Sequence, residues 1–260
     1  MPPIQPKPAL LDPLALIARF EAAARDAGFR VEPFGEIAVA DRDESPVARY
    51  SLLALTKRAP GPRPRIYLSA GIHGDEPAPP LALLEMLEAG MFDSRATWFI
   101  CPMLNPLGFI AGTRENAGGV DLNRDYRHLV SREIRAHVLW LQRQPNFDVA
   151  FAIHEDWESK GFYLYELNSG RGPSFAEAMI SAASRVCPIE TASVIDGREI
   201  AAPGIIRPVS DPLVRELWPE TIYLRAHHTM LTYTLESPSA LPLAQRIATL
   251  RAAIEVAIAS

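Results

Sequence analysis

Largely apolar runs at 65–70, 97–103 and 147–153 alternate with stretches of helical spacing at 78–89 and 131–144, and no other feature restricts the fold as much. A short strand that is apolar along its length, rather than at every second residue, has both faces covered. Strands of this kind alternating with helices build a largely parallel or mixed sheet between two helical layers, an α/β fold. Further segments fit the pattern. Asp12 and Pro13 read as N-cap and first turn of a helix whose Leu16, Phe20, Ala23 and Ala27 share a face until Gly28 ends it. Residues 47–57, 162–166 and 230–235 read as strands, 173–186 and 241–259 as helices, and 59–64 (APGPRP) as a loop. No pattern stands out in 191–212.

With 260 residues, 48% of them hydrophobic, the chain can fill one sizeable core, and no repeat or compositional break divides it. One domain spanning 1–260 is the expectation. A formal charge of -5 offers no basic surface for nucleic acid or an anionic membrane, so anion binding has to be local. Cys101 and Cys187 are the only cysteines, too few and too far apart for a disulfide framework or a thiolate metal site. The start lacks a basic stretch followed by an apolar one, and no run approaches the roughly 18 apolar residues of a membrane span. A cytoplasmic protein without nucleic-acid or membrane partners is expected.

Chemistry gathers where the apolar runs end. His73 and Glu76 follow the run 65–70 at a spacing of three, and His154 follows the run 147–153. In open α/β sheets the carboxyl ends of neighbouring strands border one crevice, so these residues can converge there as two imidazoles and a carboxylate, a donor set suited to zinc with one position left open. Glu236 ends the run that begins at 230 and reaches the same rim, where a carboxylate beside a metal can take a proton from water and return it to a leaving amine. A glycine-rich segment, 112–126, carries Arg114, Asn123 and Arg124; guanidinium groups suit both a developing oxyanion and a bidentate grip on a carboxylate. Taken singly, each reading competes with a plainer one: a solvated pair, a structural histidine, a turn-capping glutamate, a solvated arginine.

Together, His73-x-x-Glu76, Asn105-Pro106-x-Gly108, Gly112-Thr113-Arg114, Val120-Asp121-Leu122-Asn123-Arg124, His154 and Thr234-Leu235-Glu236 resemble, in type and order, the zinc metallocarboxypeptidase family, including its bacterial murein tripeptide amidase branch. Succinylglutamate desuccinylase and aspartoacylase relatives share H-x-x-E, Asp-Leu-Asn-Arg and the late glutamate. The resemblance spans roughly residues 64 to 238. It implies a mixed, mostly parallel eight-stranded sheet flanked by helices, and one Zn2+ per chain on His73, Glu76 and His154. By the same resemblance Glu236 is the general base and acid, Arg114 polarises the scissile carbonyl, and Asn123 and Arg124 hold a free carboxylate of a small peptide or acylated amino acid.

Three departures bear on the substrate. Asp75 stands where the digestive enzymes carry arginine, and no tyrosine occupies the usual capping position, with Tyr223 and Tyr233 only nearby. Glu155 and Asp156 follow His154 and could orient the ligands, hold a second metal or face solvent. His137 fits a satisfied helical histidine and His128 a loop, while His227 and His228 lie close enough in sequence to Glu236 to line the pocket without being ligands. A metallocarboxypeptidase or peptide amidase is the leading expectation. An N-acyl amino acid deacylase is the alternative, and an inactive binding protein on the same fold is the third.

Overall fold

The computed structural model describes residues 12–38, 48–170 and 172–259. In chain order the elements are α1 (Pro13–Asp26), β1 (Arg30–Ala38), β2 (Arg49–Lys57), β3 (Arg65–Ser69), α2 (Ala78–Glu88), β4 (Thr97–Cys101), α3 (Pro106–Ala111), α4 (Arg132–Leu141), β5 (Val149–Asp156), β6 (Tyr163–Asn168) and α5 (Ala176–Ala183). Then follow β7 (Val194–Ile195), β8 (Arg198–Glu199), β9 (Ile205–Ile206), α6 (Glu220–His227), β10 (Leu231–Pro238) and α7 (Leu243–Ile258). Two 3-10 turns, Leu122–Arg124 and Pro212–Val214, interrupt the long connections.

Eight strands form one mixed sheet in the order β1-β2-β4-β3-β5-β10-β6-β9. Its centre, β4-β3-β5-β10, is parallel throughout, whereas β1 and β2 pair antiparallel and β6 lies antiparallel to β10. The apolar central runs explain this position, because both of their faces are buried. Ile66 and Leu68 join a core with α1, α2, α5 and α7, while Tyr67, between them, joins a second core with α4 and α6 on the opposite face. β5 alternates likewise, with Phe151 in the first core and Ala150 in the second. After β3 the chain passes to β4 on one side, and β5 then lies on the other side of β3. That reversal opens a crevice at the strands' carboxyl ends, where ligands of open α/β sheets bind.

Asp12 caps α1 as expected, its carboxylate accepting the Leu14 amide at 3.0 Å. Residue 47, the expected start of β2, and the proline-rich stretch 1–11 lie outside the described residues. Five elements depart from the sequence expectation. β1 has no clean alternation because Pro33 and Gly35 flank a register shift, and an edge strand tolerates such a bulge. α3, between the run 97–103 and the glycine-rich segment 112–126, and α6 were not anticipated, both being too short for periodicity to stand out. β5 and β10 run on past the apolar residues, so His154 and Glu236 lie inside strands rather than after them. No helix among the described residues is long and apolar enough to cross a membrane.

Candidate metal centre and pocket

β3 gives way to a tight loop that carries His73 and Glu76 into α2. The loop lies so close to α3 that a Cβ on Gly74 would stand 1.8 Å from the Gly108 carbonyl carbon, so only glycine fits there. Asn105 fastens the same region: its Oδ1 accepts the Gly108 amide at 2.9 Å, and its Nδ2 donates to the carbonyl oxygens of Ile72 at 3.2 Å and Arg114 at 3.4 Å. The Asn-Pro-x-Gly motif therefore ties the loops of His73 and Arg114 to a single helix.

His73, Glu76 and His154 meet at the crevice. One potential ligand atom from each lies within 4.8 Å of the others, and all three residues are buried. Glu76 Oε1 is 2.5 Å from His73 Nδ1, and its Oε2 is 3.0 Å from His154 Nδ1. Burial pulls the His73 pKa down, but Glu76 and Asp121 outweigh it and hold it up at about 9. Burial likewise raises Glu76, yet the two histidines bring it down to about 2. Two buried imidazoles whose Nδ1 atoms both face the Glu76 carboxylate form a donor set that fits a divalent cation of the zinc type.

Asp121 is the participant that the sequence reading quoted within a motif but gave no part. Its Oδ1 lies 3.3 Å from His73 Nε2 and accepts the Asn123 amide, and its Oδ2 accepts Arg114 Nε at 3.0 Å. A carboxylate on the far nitrogen fixes ring orientation and leaves Nδ1 as the donor to a cation. The signal for it was the pairing of an acid two residues before Asn123 with a histidine on a different loop, which one sequence cannot reveal.

Glu236 stands opposite His154 in the parallel register of β5 and β10. It lines the pocket, and among the described residues its carboxylate receives no hydrogen bond. Burial, reinforced by Glu76 and Asp156 and opposed by His154 and Arg114, pushes its pKa up to about 8. Such a group can hold or give up a proton near neutral pH. Arg114 Nη1 lies 3.2 Å from His73 Nδ1 and 3.8 Å from Glu76 Oε1, at the edge of the ligand cluster. Asn123 is partly committed, since its Oδ1 accepts the Glu220 amide at the start of α6 and its Nδ2 lies 3.5 Å from His154 Nε2. Arg124 donates to the Asn123 carbonyl at 2.9 Å and forms no ion pair among the described residues.

Above this cluster opens a cavity of about 290 Å³, bounded by the Arg114 loop, the end of β5, β6 and the segment before α6. The acidic pair after His154 divides its work. Glu155 is buried, accepts the Ala78 amide at the start of α2 and pairs with Arg246 of α7 at 2.6 Å, while its own amide donates to Glu76 Oε2 at 3.1 Å. It therefore holds the Glu76 carboxylate in place. Asp156 accepts Tyr163 Oη at 2.8 Å.

The aromatic wall is not the one anticipated. Tyr163 and Tyr165 of β6 line the cavity, whereas Tyr233 is buried in the core against Phe151 and donates to Glu166, and Tyr223 packs on Tyr126 and His227. His227 and His228 do not line it either: the His228 carbonyl accepts the Phe147 amide at the entry of β5, the opposite end of the sheet. Sequence distance from Glu236 misled here because β10 carries the chain from one edge to the other. His137 behaves as expected, its two nitrogens meeting Tyr67 at 2.9 Å and Tyr126 at 2.8 Å in a fully buried site.

Comparison with known proteins agrees with this geometry. Residues 62–187 match the family profile of the succinylglutamate desuccinylase/aspartoacylase catalytic domain, the span that contains His73, Glu76, Arg114, Arg124 and His154. No functionally curated protein matches the chain in sequence. Among solved structures, a candidate metallopeptidase from Shewanella denitrificans superposes with a TM-score of 0.80 at 22% identity, covering 97% of this chain and 94% of its own. A metallo-carboxypeptidase from Burkholderia cenocepacia gives 0.64 at 19% identity over 93% of this chain and 67% of its own. Carboxypeptidase A from Helicoverpa armigera gives 0.61 at 16% identity over 94% and 73%. The protein thus has the carboxypeptidase-like α/β fold, with a potential metal centre at its switch point, and over residues 62–187 it is related in sequence to the succinylglutamate desuccinylase/aspartoacylase catalytic domains.

Proposed function

We propose that the protein is a zinc-dependent hydrolase that cleaves an amide bond next to a free carboxylate, in the manner of a metallocarboxypeptidase or peptide amidase. The observation that carries this reading is the convergence of His73, Glu76 and His154 within 4.8 Å, with Glu236 across the parallel register from His154. His73 Nδ1, the Glu76 carboxylate and His154 Nδ1 would hold one zinc ion per chain. Bound there, zinc would acidify a water molecule and polarise the scissile carbonyl.

The remaining chemistry falls to the chain's own groups. Glu236, free of hydrogen bonds from the described residues, takes the proton of the attacking water and delivers it to the leaving nitrogen. Arg114, held by Asp121, offers its guanidinium to the oxyanion. Arg124 and the Nδ2 of Asn123 receive the substrate carboxylate and thereby align the amide. Asp121 and Glu155 keep the ligands in register.

A second reading, N-acyl amino acid deacylation, is favoured by the profile match over residues 62–187. Substrate size separates the two. Zinc-loaded protein incubated with peptides bearing a free C-terminus, murein tripeptide and N-acyl amino acids, with products identified by mass spectrometry, tests both. Cleavage of peptides supports the first reading and cleavage of acylated single amino acids the second. Failure to bind about one zinc per chain, measured on protein purified without chelator, would remove both and revive a binding protein.

A further inference from the structure

Glu220, the first residue of α6, is buried, and among the described residues it forms no ion pair. Two hydroxyls of β3 hold its carboxylate instead: Tyr67 Oη donates to Oε1 at 2.6 Å and Ser69 Oγ to Oε2 at 2.7 Å. Tyr67 and Ser69 stand two positions apart, on one face of the strand that leads into the His73 loop. The donors run further back. Because the Tyr67 proton goes to Glu220, Tyr67 Oη accepts from His137 Nε2, and His137 Nδ1 then accepts from Tyr126 Oη. A chain of hydrogen bonds from Tyr126 through His137 and Tyr67 therefore ends on Glu220.

The backbone of the same residue acts on Asn123. Pro219 offers α6 no side-chain cap, so the Glu220 amide, one of the donors that a helix start leaves unpaired, needs an acceptor from elsewhere. Asn123 Oδ1 supplies it at 2.9 Å. That bond decides which way the carboxamide faces, because turning it over would set Nδ2 against the amide, donor against donor. Asn123 lines the cavity, and its Nδ2 is left 3.5 Å from His154 Nε2 and within reach of no other acceptor among the described residues. The chain just after Asn123 is held to the segment before α6 by a further contact, the Tyr126 amide on the Trp218 carbonyl at 3.3 Å.

We propose that Glu220 is a positioning residue: its side chain fastens the start of α6 to β3, its amide orients Asn123, and together they set where Asn123 Nδ2 stands relative to the metal centre, and so how a substrate carboxylate fits. The inference rests on the amide-hydrolase reading only for what Asn123 Nδ2 receives. Glu220→Gln keeps the size of the side chain and an Oε1 for Tyr67, while Ser69 Oγ can turn to accept from the new Nε2. Glu220→Ala leaves the backbone amide but frees it from the strand.

Nitrogen-15 NMR of the Asn123 carboxamide in the zinc-loaded protein, assigned by its loss in Asn123→Asp, reads that position without reference to activity. Wild type and Glu220→Gln should give one pair of Nδ2 hydrogens at closely matching shifts, and Glu220→Ala should displace or broaden it. Steady-state kinetics on a substrate with a free carboxylate and on its amidated match supply the second readout. Glu220→Ala should lower kcat/KM on the acid about tenfold, as expected for one charge-assisted hydrogen bond lost, and change the amidated substrate less than about threefold. Zinc content, and the rates of Glu220→Gln, should stay near wild type. An unmoved signal in Glu220→Ala, or acid and amide slowing alike, overturns the positioning role. If Glu220→Ala fails to fold, Ser69→Ala, which removes one of the two anchors, should displace the same signal and at least halve the preference for the acid; no change in either overturns the proposal. A wild type that hydrolyses neither substrate or treats both alike, with the signal still displaced in Glu220→Ala, overturns only the carboxylate reading.

Discussion

Replacing Glu236 by glutamine keeps the size of the side chain and removes its ability to accept a proton. The proposed chemistry then loses its base and acid together, and such groups contribute about 10² to 10⁴-fold. kcat should fall by that range while zinc content stays near wild type, because no ligand atom changes. A second signature follows from the site itself. In the metal-free protein the Glu236 pKa stands at about 8, raised chiefly by burial, above the ordinary glutamate value of 4.5. Between those values the folded protein holds a proton that the unfolded chain releases, so this group lowers stability as pH rises through the window. At pH 7 the penalty is on the order of 2 to 3 kcal/mol, at about 1.4 kcal/mol per pH unit and allowing for partial exposure. Glu236→Gln should therefore stabilise the chelated protein at pH 7 and make little difference at pH 4.5. Urea unfolding at the two pH values, beside steady-state kinetics on the best substrate, measures both effects. Turnover near the wild-type rate would refute the role of Glu236, and a variant less stable at pH 7 would refute the electrostatic account of its environment.

Arg124→Ala should lower kcat/KM at least about tenfold on a substrate with a free carboxylate, since a hydrogen bond to a charged group contributes roughly 1.5 to 3 kcal/mol. The matched amidated substrate should be unaffected, and equal turnover of acid and amide by the wild type would remove the carboxylate-recognition reading. His137 governs acid stability: burial holds its pKa down at about 3, so below pH 6.5 the unfolded chain takes up a proton that the folded one refuses. Stability should fall by about 2 kcal/mol from this group between pH 6.5 and 5, and His137→Gln should flatten the unfolding free energy over that interval by the same amount.

The sequence determined the sheet's centre and the chemical types at the site, and the tertiary structure decided which of them work together. Runs such as 65–70 and 147–153 are apolar at most positions on both faces, so burial on both faces, and hence a central place in an α/β sheet, can be read without coordinates. The ends of those runs mark the crevice, so His73, Glu76, His154 and Glu236 were legible as a group from where the apolar pattern stops. The edges were not legible, because β1 contains Pro33 and Gly35 and is held by β2 rather than by its own periodicity. Nor could the supporting contacts be read: Asp121 reaches His73 across 48 positions, Glu155 reaches Arg246 across 91, and Arg124, Arg198 and Arg215 border one cavity only after three segments fold onto one wall. Local pattern reports burial, which each residue experiences where it stands. Long-range pairing depends on the directions in which strands and loops carry the chain, and it placed His228 at the opposite end of the sheet from Glu236, only eight positions away.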